Sequence, residues 1–245
     1  MDRVIYNRMA EHDSVHWWYR GRRAILAEYL KRAADLPQGA RLLEVGCGTG
    51  HNLPMLARFG TVDAIEIDAA SREIASRRLG RPVLDAPLPL LSGIERGAYD
   101  LVAVLDVIEH VEDDVAALRA ISECLKPSGK ILITVPAHQW MWSMHDVVNH
   151  HYRRYSRAGL AKALAAAELQ SERPRYFNAL LFPLAVASRA FAKLTGKQDS
   201  DDAPPPGPVN CLLERAFSLE RHAIGRLQLP IGLSLLTLAS PTSRA

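Results

Sequence analysis

The 245-residue chain has few cysteines and little net charge. Its three cysteines, Cys47, Cys124 and Cys211, lie far apart and match neither a disulfide framework nor a zinc motif, so we expect a reducing, cytoplasmic location. The formal net charge of +3 is too small to predict nucleic-acid binding. A composition that is 48% hydrophobic and 23% charged is typical of a globular protein.

Long apolar runs are missing as well. The apolar stretches 176–188 and 227–240 are shorter than the ~20 residues that a helix needs to cross a bilayer, and each contains a proline. Residues 1–14 carry charges throughout and lack the apolar segment of a secretory signal. We therefore expect neither a membrane span nor a secretory signal, although residues 176–188 could rest on a membrane surface.

Strand and helix patterns alternate along most of the chain. After a lead-in helix at 14–35, the predicted strands are 42–45, 62–67, 82–85, 99–107, 130–136, 171–177 and 232–239, and the predicted helices are 51–59, 70–79, 113–125 and 159–169. This alternation predicts an α/β fold, with a doubly wound, mostly parallel seven-stranded sheet that ends in an antiparallel hairpin. The long stretch before the last strand predicts a late, partly helical insertion.

A glycine-rich turn follows the first predicted strand, in LLEVGCGTG at residues 42–50. Such a turn lets the backbone approach a nucleotide closely. A dinucleotide fingerprint needs a third glycine where this chain has His51, and Glu44 is unfavourable beside a pyrophosphate but favourable near an ammonium or sulfonium group. Glu66 ends the second predicted strand, where a carboxylate can accept hydrogen bonds from both ribose hydroxyls.

These features form the pattern E-x-G-x-G-x-G with an acid after the second strand. Tyr99–Asp100 opens the fourth predicted strand, and a Lys-Pro-Ser-Gly turn at 126–129 precedes the fifth. Over about residues 40–170 the chain resembles the class I S-adenosylmethionine-dependent methyltransferases, and in particular the O-methyltransferases of ubiquinone biosynthesis. The resemblance implies a Rossmann-like fold, the cofactor S-adenosylmethionine and a methyl-transfer activity.

The resemblance also implies a role for each part of the cofactor pocket. The glycine turn with Glu44 behind it would hold the methionine part, Glu66 the ribose, and Asp85 with the backbone of Ala86 the adenine. One arginine of Arg20, Arg22 and Arg23 would bind the methionine carboxylate, and Arg23 is the best placed by its distance from the turn. The implied cofactor-binding residues are Arg23, Glu44, Gly46, Cys47, Gly48, Gly50, Glu66, Ile67, Asp85, Ala86, Leu105 and Asp106.

Two histidines are candidates for catalysis. His110 follows Asp106 and Glu109 at offsets that share one helical face, so the three could brace a loop, hold a general base or, as in some related enzymes, bind a divalent cation. We assign no residue to a metal. His145 stands beside Asp146 as a candidate base and orienter, although sequence neighbours seldom face each other in a helix.

The domain organisation expected from these patterns is an N-terminal helical lead-in at 1–38, an S-adenosylmethionine-binding core at 39–177, an insertion at 178–230 and the last strand and tail at 231–245. The insertion is a candidate lid over the acceptor, and Arg189 at its basic end could face an anionic bilayer. The expected acceptor is a hydroxyl on a small or lipid- or glycan-linked molecule. A non-catalytic cofactor-binding protein and a nicotinamide reductase remain alternatives, and the oligomeric state is open.

Overall fold

The computed structural model describes residues 10–195 and 204–242. Parts of the expected lead-in (1–9), insertion (196–203) and tail (243–245) lie outside the described residues. Within the described residues, no helix combines the length and apolar character that a membrane span requires.

One seven-stranded sheet forms the centre of the described structure. Its strands are β1 Arg41–Val45, β2 Thr61–Ile65, β3 Tyr99–Leu105, β4 Leu125–Pro136, β5 Leu169–Ser171, β6 Arg175–Phe177 and β7 Ser234–Pro241. The order is β2-β1-β3-β4-β7-β5, and β6 also pairs with β7. The pairs among β1 to β4 are parallel, whereas β7 is antiparallel to all of its partners. The predicted α/β fold with a mostly parallel sheet is confirmed, because six strands run in one direction.

Helices connect these strands and follow them. They are α1 Trp17–Ala33, α2 Leu53–Leu56, α3 Ala69–Leu79, α4 Asp114–Glu123, α5 Met144–Val148, α6 Arg157–Ala166, α7 Phe182–Thr195 and α8 Gly207–Ser218, with short 3-10 helices at Ile108–His110, Gln139–Met141 and Leu219–His222. Asp68 caps α3 by accepting a hydrogen bond from the Ser71 amide, and Gly80 ends α3 in the left-handed conformation.

Apolar side chains cover both faces of the sheet. On one face, Val102 and Ile133 pack in a cluster with Leu118 of α4 and Leu160 of α6. On the other face, the cluster contains the apolar side of α1, namely Ile25, Leu26 and Tyr29, together with Leu42, Ala103 and Leu132 of the sheet. Since successive strand residues point to opposite faces, fully buried runs such as β3 supply both clusters.

The lead-in helix and the late insertion pack on each other. Gly21 of α1 lies against Phe217 of α8, and a Cβ atom at residue 21 would come within 2.6 Å of that ring. Asn210 of α8 accepts a hydrogen bond from the Trp17 amide and donates one to the Val15 carbonyl, each at 2.9 Å. α8 is thereby fixed to the N-terminal side of the molecule.

Two predicted strands differ in the structure. Residues 82–85 form only a bridge, in which Leu84 pairs with Ile65 through hydrogen bonds to Ala64 and Glu66. Pro82, Pro87 and Pro89 remove backbone donors around this segment, which explains why the pairing does not extend. The predicted strand 171–177 is interrupted near Pro174 and becomes β5 and β6. The count of seven therefore holds with a different set of strands.

Candidate active site

The carboxyl ends of the parallel strands bring the glycine turn to one edge of the sheet. The strand order reverses between the neighbouring strands β1 and β3. Doubly wound sheets bind their ligands at such a point, beside the carboxyl ends of the strands. Gly46, Gly48 and Gly50 have φ angles of 66°, 53° and 85°. A Cβ atom at Gly46 would lie 2.9 Å from Val107, and one at Gly50 would lie 3.0 Å from the Ala75 backbone. Both conformation and space therefore require glycine in this turn.

Glu66 follows β2 and holds the glycine turn from the side. Its carboxylate is buried and accepts hydrogen bonds from the backbone amides of Gly48 at 2.7 Å and Asp68 at 2.8 Å. Burial raises the pKa of Glu66. Cys47 of the turn is buried too, and burial raises the pKa of its thiol, so it is not a reactive cysteine.

Glu44 lies two residues before the turn and is fully buried. Asn52 donates to one of its carboxylate oxygens at 2.9 Å, whereas the other oxygen has no hydrogen-bond partner among the described residues. Burial raises the pKa of Glu44 to about 7. A buried acid with a spare acceptor is suited to a cationic group of a ligand, because ionisation then becomes favourable.

Arg22 of α1 crosses the ends of β3 and β4. Its buried guanidinium lies 2.6 Å from a carboxylate oxygen of Asp106 and donates to the Thr134 hydroxyl at 2.8 Å. The Thr134 hydroxyl in turn donates to the second oxygen of Asp106 at 3.0 Å. Asp106 has φ 60°, which is uncommon for a residue other than glycine and marks a constrained backbone directly after β3.

Arg23 lies on the other side of the glycine turn. It donates to the backbone carbonyl of Asp13 at 2.9 Å, and the Asp13 side chain contacts His51 and accepts a hydrogen bond from Thr49 at 3.1 Å. Burial raises the pKa of Asp13 to about 7 and lowers the pKa of His51 to about 3. The N-terminal segment thus covers the turn through Asp13, a contact that no motif in the sequence indicated.

The remaining cofactor candidates border the same edge. Asp85 is exposed and pairs with Arg72 at 3.3 Å, and Ala86 beside it is buried. Ile67 exposes 62% of its surface next to Glu66, which leaves an apolar side chain facing solvent. Leu105 is buried at the end of β3, directly before Asp106.

A cluster of histidines and one acid follows β3 and β4. Glu109 has no exposed surface, and neither carboxylate oxygen has a hydrogen-bond partner within the described part of the chain. Burial and the charge of Asp106 raise the pKa of Glu109 well above its usual range. The rings of His110 and His151 meet edge-on with centroids 4.5 Å apart, and burial lowers the pKa of His110 to about 3.

Asp146 orients His151. Its buried carboxylate accepts hydrogen bonds from His151 Nδ1 at 2.9 Å and from Arg154 Nε at 2.6 Å. Although burial opposes it, these bonds hold the pKa of Asp146 well below its usual range. His145 is exposed on α5, with its ring centroid 6.2 Å from that of His151.

Asp146 faces His151 because of the way in which α5 begins. Ser143 and Asp146 form a capping box, in which Asp146 accepts a hydrogen bond from the Ser143 amide at 2.8 Å. The capping box directs the Asp146 side chain toward the start of α5, where His151 also lies. In the structure Asp146 therefore orients His151, whereas the sequence had suggested it as the orienter of His145. The S-x-x-D spacing was the signal for this contact.

The strand order of the sheet, together with the glycine turn and its acids at the point where that order reverses, defines a class I methyltransferase architecture. Residues 17–172 match the family model described as methyltransferase domain, and the chain belongs to that family. It is an S-adenosylmethionine-dependent methyltransferase, as the motifs predicted.

The chain is similar in sequence to one O-methyltransferase and in fold to two solved methyltransferases. The ubiquinone biosynthesis O-methyltransferase of Xanthomonas oryzae pv. oryzae is 30% identical over 167 residues, which cover 59% of this chain and 68% of the relative. A Haloferax volcanii methyltransferase solved in complex with the activator Trm112 has a TM-score of 0.63 at 16% identity, over 99% of this chain and 96% of that one. The geranyl diphosphate C-methyltransferase of Streptomyces coelicolor A3(2) has a TM-score of 0.55 at 16% identity, over 87% and 78%.

Proposed function

We propose that this methyltransferase methylates a hydroxyl group of a small-molecule or lipid- or glycan-linked acceptor. The observation that carries the proposal is the convergence of Glu109, His110 and the Asp146-oriented His151 where β3 and β4 end, close to Asp106 at the cofactor pocket. Methyl transfer is an in-line displacement, in which the protein aligns the nucleophile and a hydroxyl must also lose its proton. The name of the Xanthomonas relative, an O-methyltransferase, supports the same acceptor chemistry.

We infer the cofactor contacts from the same edge of the sheet. The glycine turn and Glu44 would hold the methionine part, Glu66 the ribose, and Asp85 with the Ala86 amide the adenine, beside the exposed side chain of Ile67. Cys47, Leu105 and Asp106 would line the rest of the cofactor-binding site. For the methionine carboxylate we favour Arg22 over Arg23, since Arg22 reaches the ends of β3 and β4.

The acceptor class is tested by following a labelled methyl group from S-adenosylmethionine. Panels of phenols, sugar hydroxyls and polyprenyl-linked hydroxyls are compared with amines, and the products are identified by mass spectrometry. We expect label in a methyl ether, and addition of S-adenosylhomocysteine should suppress it by competing for the cofactor pocket. Transfer to nitrogen or carbon alone would contradict the hydroxyl assignment. Cofactor binding without transfer to any panel would instead support the non-catalytic alternative.

A second proposal concerns the surface of α7. Leu184, Phe191 and Leu194 expose 59%, 63% and 87% of their surface and lie along one stripe of this helix. Arg189, expected to face a bilayer, turns inward and donates to the Met141 carbonyl, and burial lowers its pKa to about 10. We propose that this apolar stripe rests peripherally on the inner face of the cytoplasmic membrane, which would bring a lipid-linked acceptor close to the lid.

Vesicle flotation tests the peripheral contact. Because Arg189 faces inward, we expect flotation with zwitterionic vesicles and at most about a threefold gain with anionic lipid, since exposed basic residues supply such gains. The double variant Leu184→Asp/Phe191→Asp should lose flotation. Leu90→Asp, which changes an exposed leucine outside α7, is the matched control and should float normally. Absence of wild-type flotation, or flotation of the double variant, would end the membrane proposal.

A further inference from the structure

His138 lies two residues after β4 and has an uncommon backbone conformation. Its φ of 63° and ψ of 101° lie outside the regions that residues with a side chain normally occupy. Hydrogen bonds hold it on both sides, since its amide donates to the Tyr155 carbonyl and its own carbonyl accepts from the Met141 amide, each at 2.9 Å. Backbone strain of this kind persists only where the surrounding structure fixes it, and it is concentrated at functional sites.

The His138 ring has one nitrogen without a partner. The ring is hydrogen-bonded to the backbone of Gly232, and Nε2 is buried with no hydrogen-bond partner in the described part of the chain, so Nδ1 makes the bond to Gly232. Burial and the positive charge of Arg154 lower the pKa of His138, and they outweigh the Gly232 bond, which raises it as donation from the ring to a carbonyl does. The ring is therefore neutral at pH 7, with its proton on Nδ1 and a lone pair on Nε2 that can accept a proton.

Aromatic rings pack around His138. Tyr176 of β6 stacks on it, with ring centroids 5.1 Å apart and an angle of 19° between the planes. Trp140 and Phe182 each lie with their ring centroid 5.6 Å from that of His138. Trp140 exposes 62% of its surface, so it can turn outward without disturbing the core. These four rings, which we call the His138 subsite, offer apolar faces and one hydrogen-bond acceptor, a combination suited to a hydroxyl carried on a flat or apolar group.

The His138 subsite borders the edge of the sheet that carries the glycine turn. β4 and β6 both run antiparallel to β7, and β4 is parallel to β3, so both strands end at the edge where β3 ends. Arg154 links the subsite to the turn after β3, because it donates to the Ala137 carbonyl at 3.3 Å and its charge acts on both His138 and Glu109. Phe182 begins α7, in the insertion that we expect to cover the acceptor.

We propose that His138 is the general base of the methyl transfer and that the rings around it bind the part of the acceptor that carries the hydroxyl. This inference rests on the proposed methylation of a hydroxyl. His138 Nε2 takes the hydroxyl proton while the oxygen bonds to the methyl carbon and the carbon–sulfur bond of S-adenosylmethionine breaks, which leaves a methyl ether and S-adenosylhomocysteine. The protonated ring then releases its proton to solvent. His110 is poorly suited to this step, since a pKa of about 3 makes it a weak base.

Two variants separate the base from the backbone around it. His138→Asn tolerates a positive φ and keeps a side-chain amide near the position of Nδ1, but it has no Nε2. We expect its transfer of labelled methyl groups to hydroxyls to fall about a hundredfold or more, with unchanged thermal unfolding and unchanged affinity for S-adenosylhomocysteine in calorimetry. His138→Gly also suits the positive φ and leaves room for a free imidazole, which should restore transfer about tenfold or more. His222→Gln changes an exposed histidine and is the matched control, with transfer at the wild-type rate.

Ring ¹⁵N NMR of the full-length, histidine-labelled protein tests the same nitrogen without methyl transfer. The signals that disappear in His138→Gly identify the His138 ring. We expect a neutral ring with its proton on Nδ1. With S-adenosylhomocysteine bound, phenol, methyl glucoside and prenol are titrated separately, and the Nε2 signal should move with at least one of them as the hydroxyl donates to it. The His222 signals should stay in place.

The results distinguish failure of this inference from failure of the proposed function. Wild-type rates of hydroxyl methylation in folded His138→Asn protein, or an Nε2 signal that moves with none of the three hydroxyl compounds, would overturn the role of His138. Hydroxyl methylation itself would stand in both cases. Wild-type protein that forms no methyl ether would instead overturn the proposed function, and the NMR titration would still decide whether His138 binds a hydroxyl.

Discussion

Replacing Arg22 by alanine is expected to weaken S-adenosylmethionine binding by about a hundredfold, which corresponds to about 2.7 kcal/mol. The reason is that a carboxylate bound by a buried guanidinium gains charge-assisted hydrogen bonds, each typically about 1.5–3 kcal/mol. Arg22 already reaches Asp106 and Thr134 at the sheet edge, where the cofactor's methionine part would lie. Isothermal titration calorimetry with S-adenosylmethionine and S-adenosylhomocysteine measures the loss.

Arg23→Ala is the matched comparison, since it removes the same side chain one position along α1. Arg23 donates to the Asp13 carbonyl rather than into the pocket, so we expect a change of less than about threefold, in line with the loss of one partly exposed hydrogen bond. If Arg23→Ala weakened binding more than Arg22→Ala, the methionine carboxylate of the cofactor would be assigned to Arg23, as the sequence favoured. Thermal unfolding of both variants separates a loss of affinity from a loss of fold.

The choice between Arg22 and Arg23 as the carboxylate-binding residue depends on helix geometry, which distance along the sequence does not reveal. Distance along the chain from the glycine turn favoured Arg23, but consecutive residues on a helix point about 100° apart. Arg22 shares the buried face of α1 with Ile25, Leu26 and Tyr29, which pack on the sheet. The apolar periodicity that predicted the helix could therefore have selected Arg22, had it been applied to the polar residues as well.

The glycine turn was predictable because its signals are local. Positive φ angles at Gly46, Gly48 and Gly50 follow from the strand-turn-helix geometry, and Glu66 follows the next strand at the same edge of a parallel sheet. The prediction of a full strand at 82–85 was wrong for a reason that is equally local. Prolines around this segment limit its pairing to a single bridge.

The histidine cluster was only partly predictable. His110 was identified because it follows a strand directly, at the edge where ligands bind. His151 lies beside His110 because the chain after α5 folds back onto the turn after β3. The spacing of residues along the sequence does not reveal such a tertiary contact. Asp13 over the glycine turn is a further contact between distant segments, with no motif at either end.

The last prediction concerns Glu66, whose carboxylate holds the glycine turn and is proposed to bind the ribose as well. Glu66→Ala is expected to weaken cofactor binding by about a hundredfold, since two ribose hydroxyls would lose a charged acceptor. It should also lower the unfolding midpoint by several degrees, because the Gly48 and Asp68 amides would lose their acceptor, at about 1–3 kcal/mol for each buried donor. The sequence alone suggested an effect on binding without one on the fold.

Two comparisons separate these effects. The Gly48 and Asp68 amides bond to different oxygens of Glu66, so Glu66→Gln keeps an acceptor for only one of them and also removes the charge. It should restore only part of the stability and part of the affinity. Glu73→Ala on the exposed side of α3 is the control and should change neither quantity. Calorimetric titration with S-adenosylhomocysteine and thermal unfolding without ligand give the two readouts. Wild-type affinity in folded Glu66→Ala protein would remove Glu66 from the ribose site and leave it only the task of holding the glycine turn.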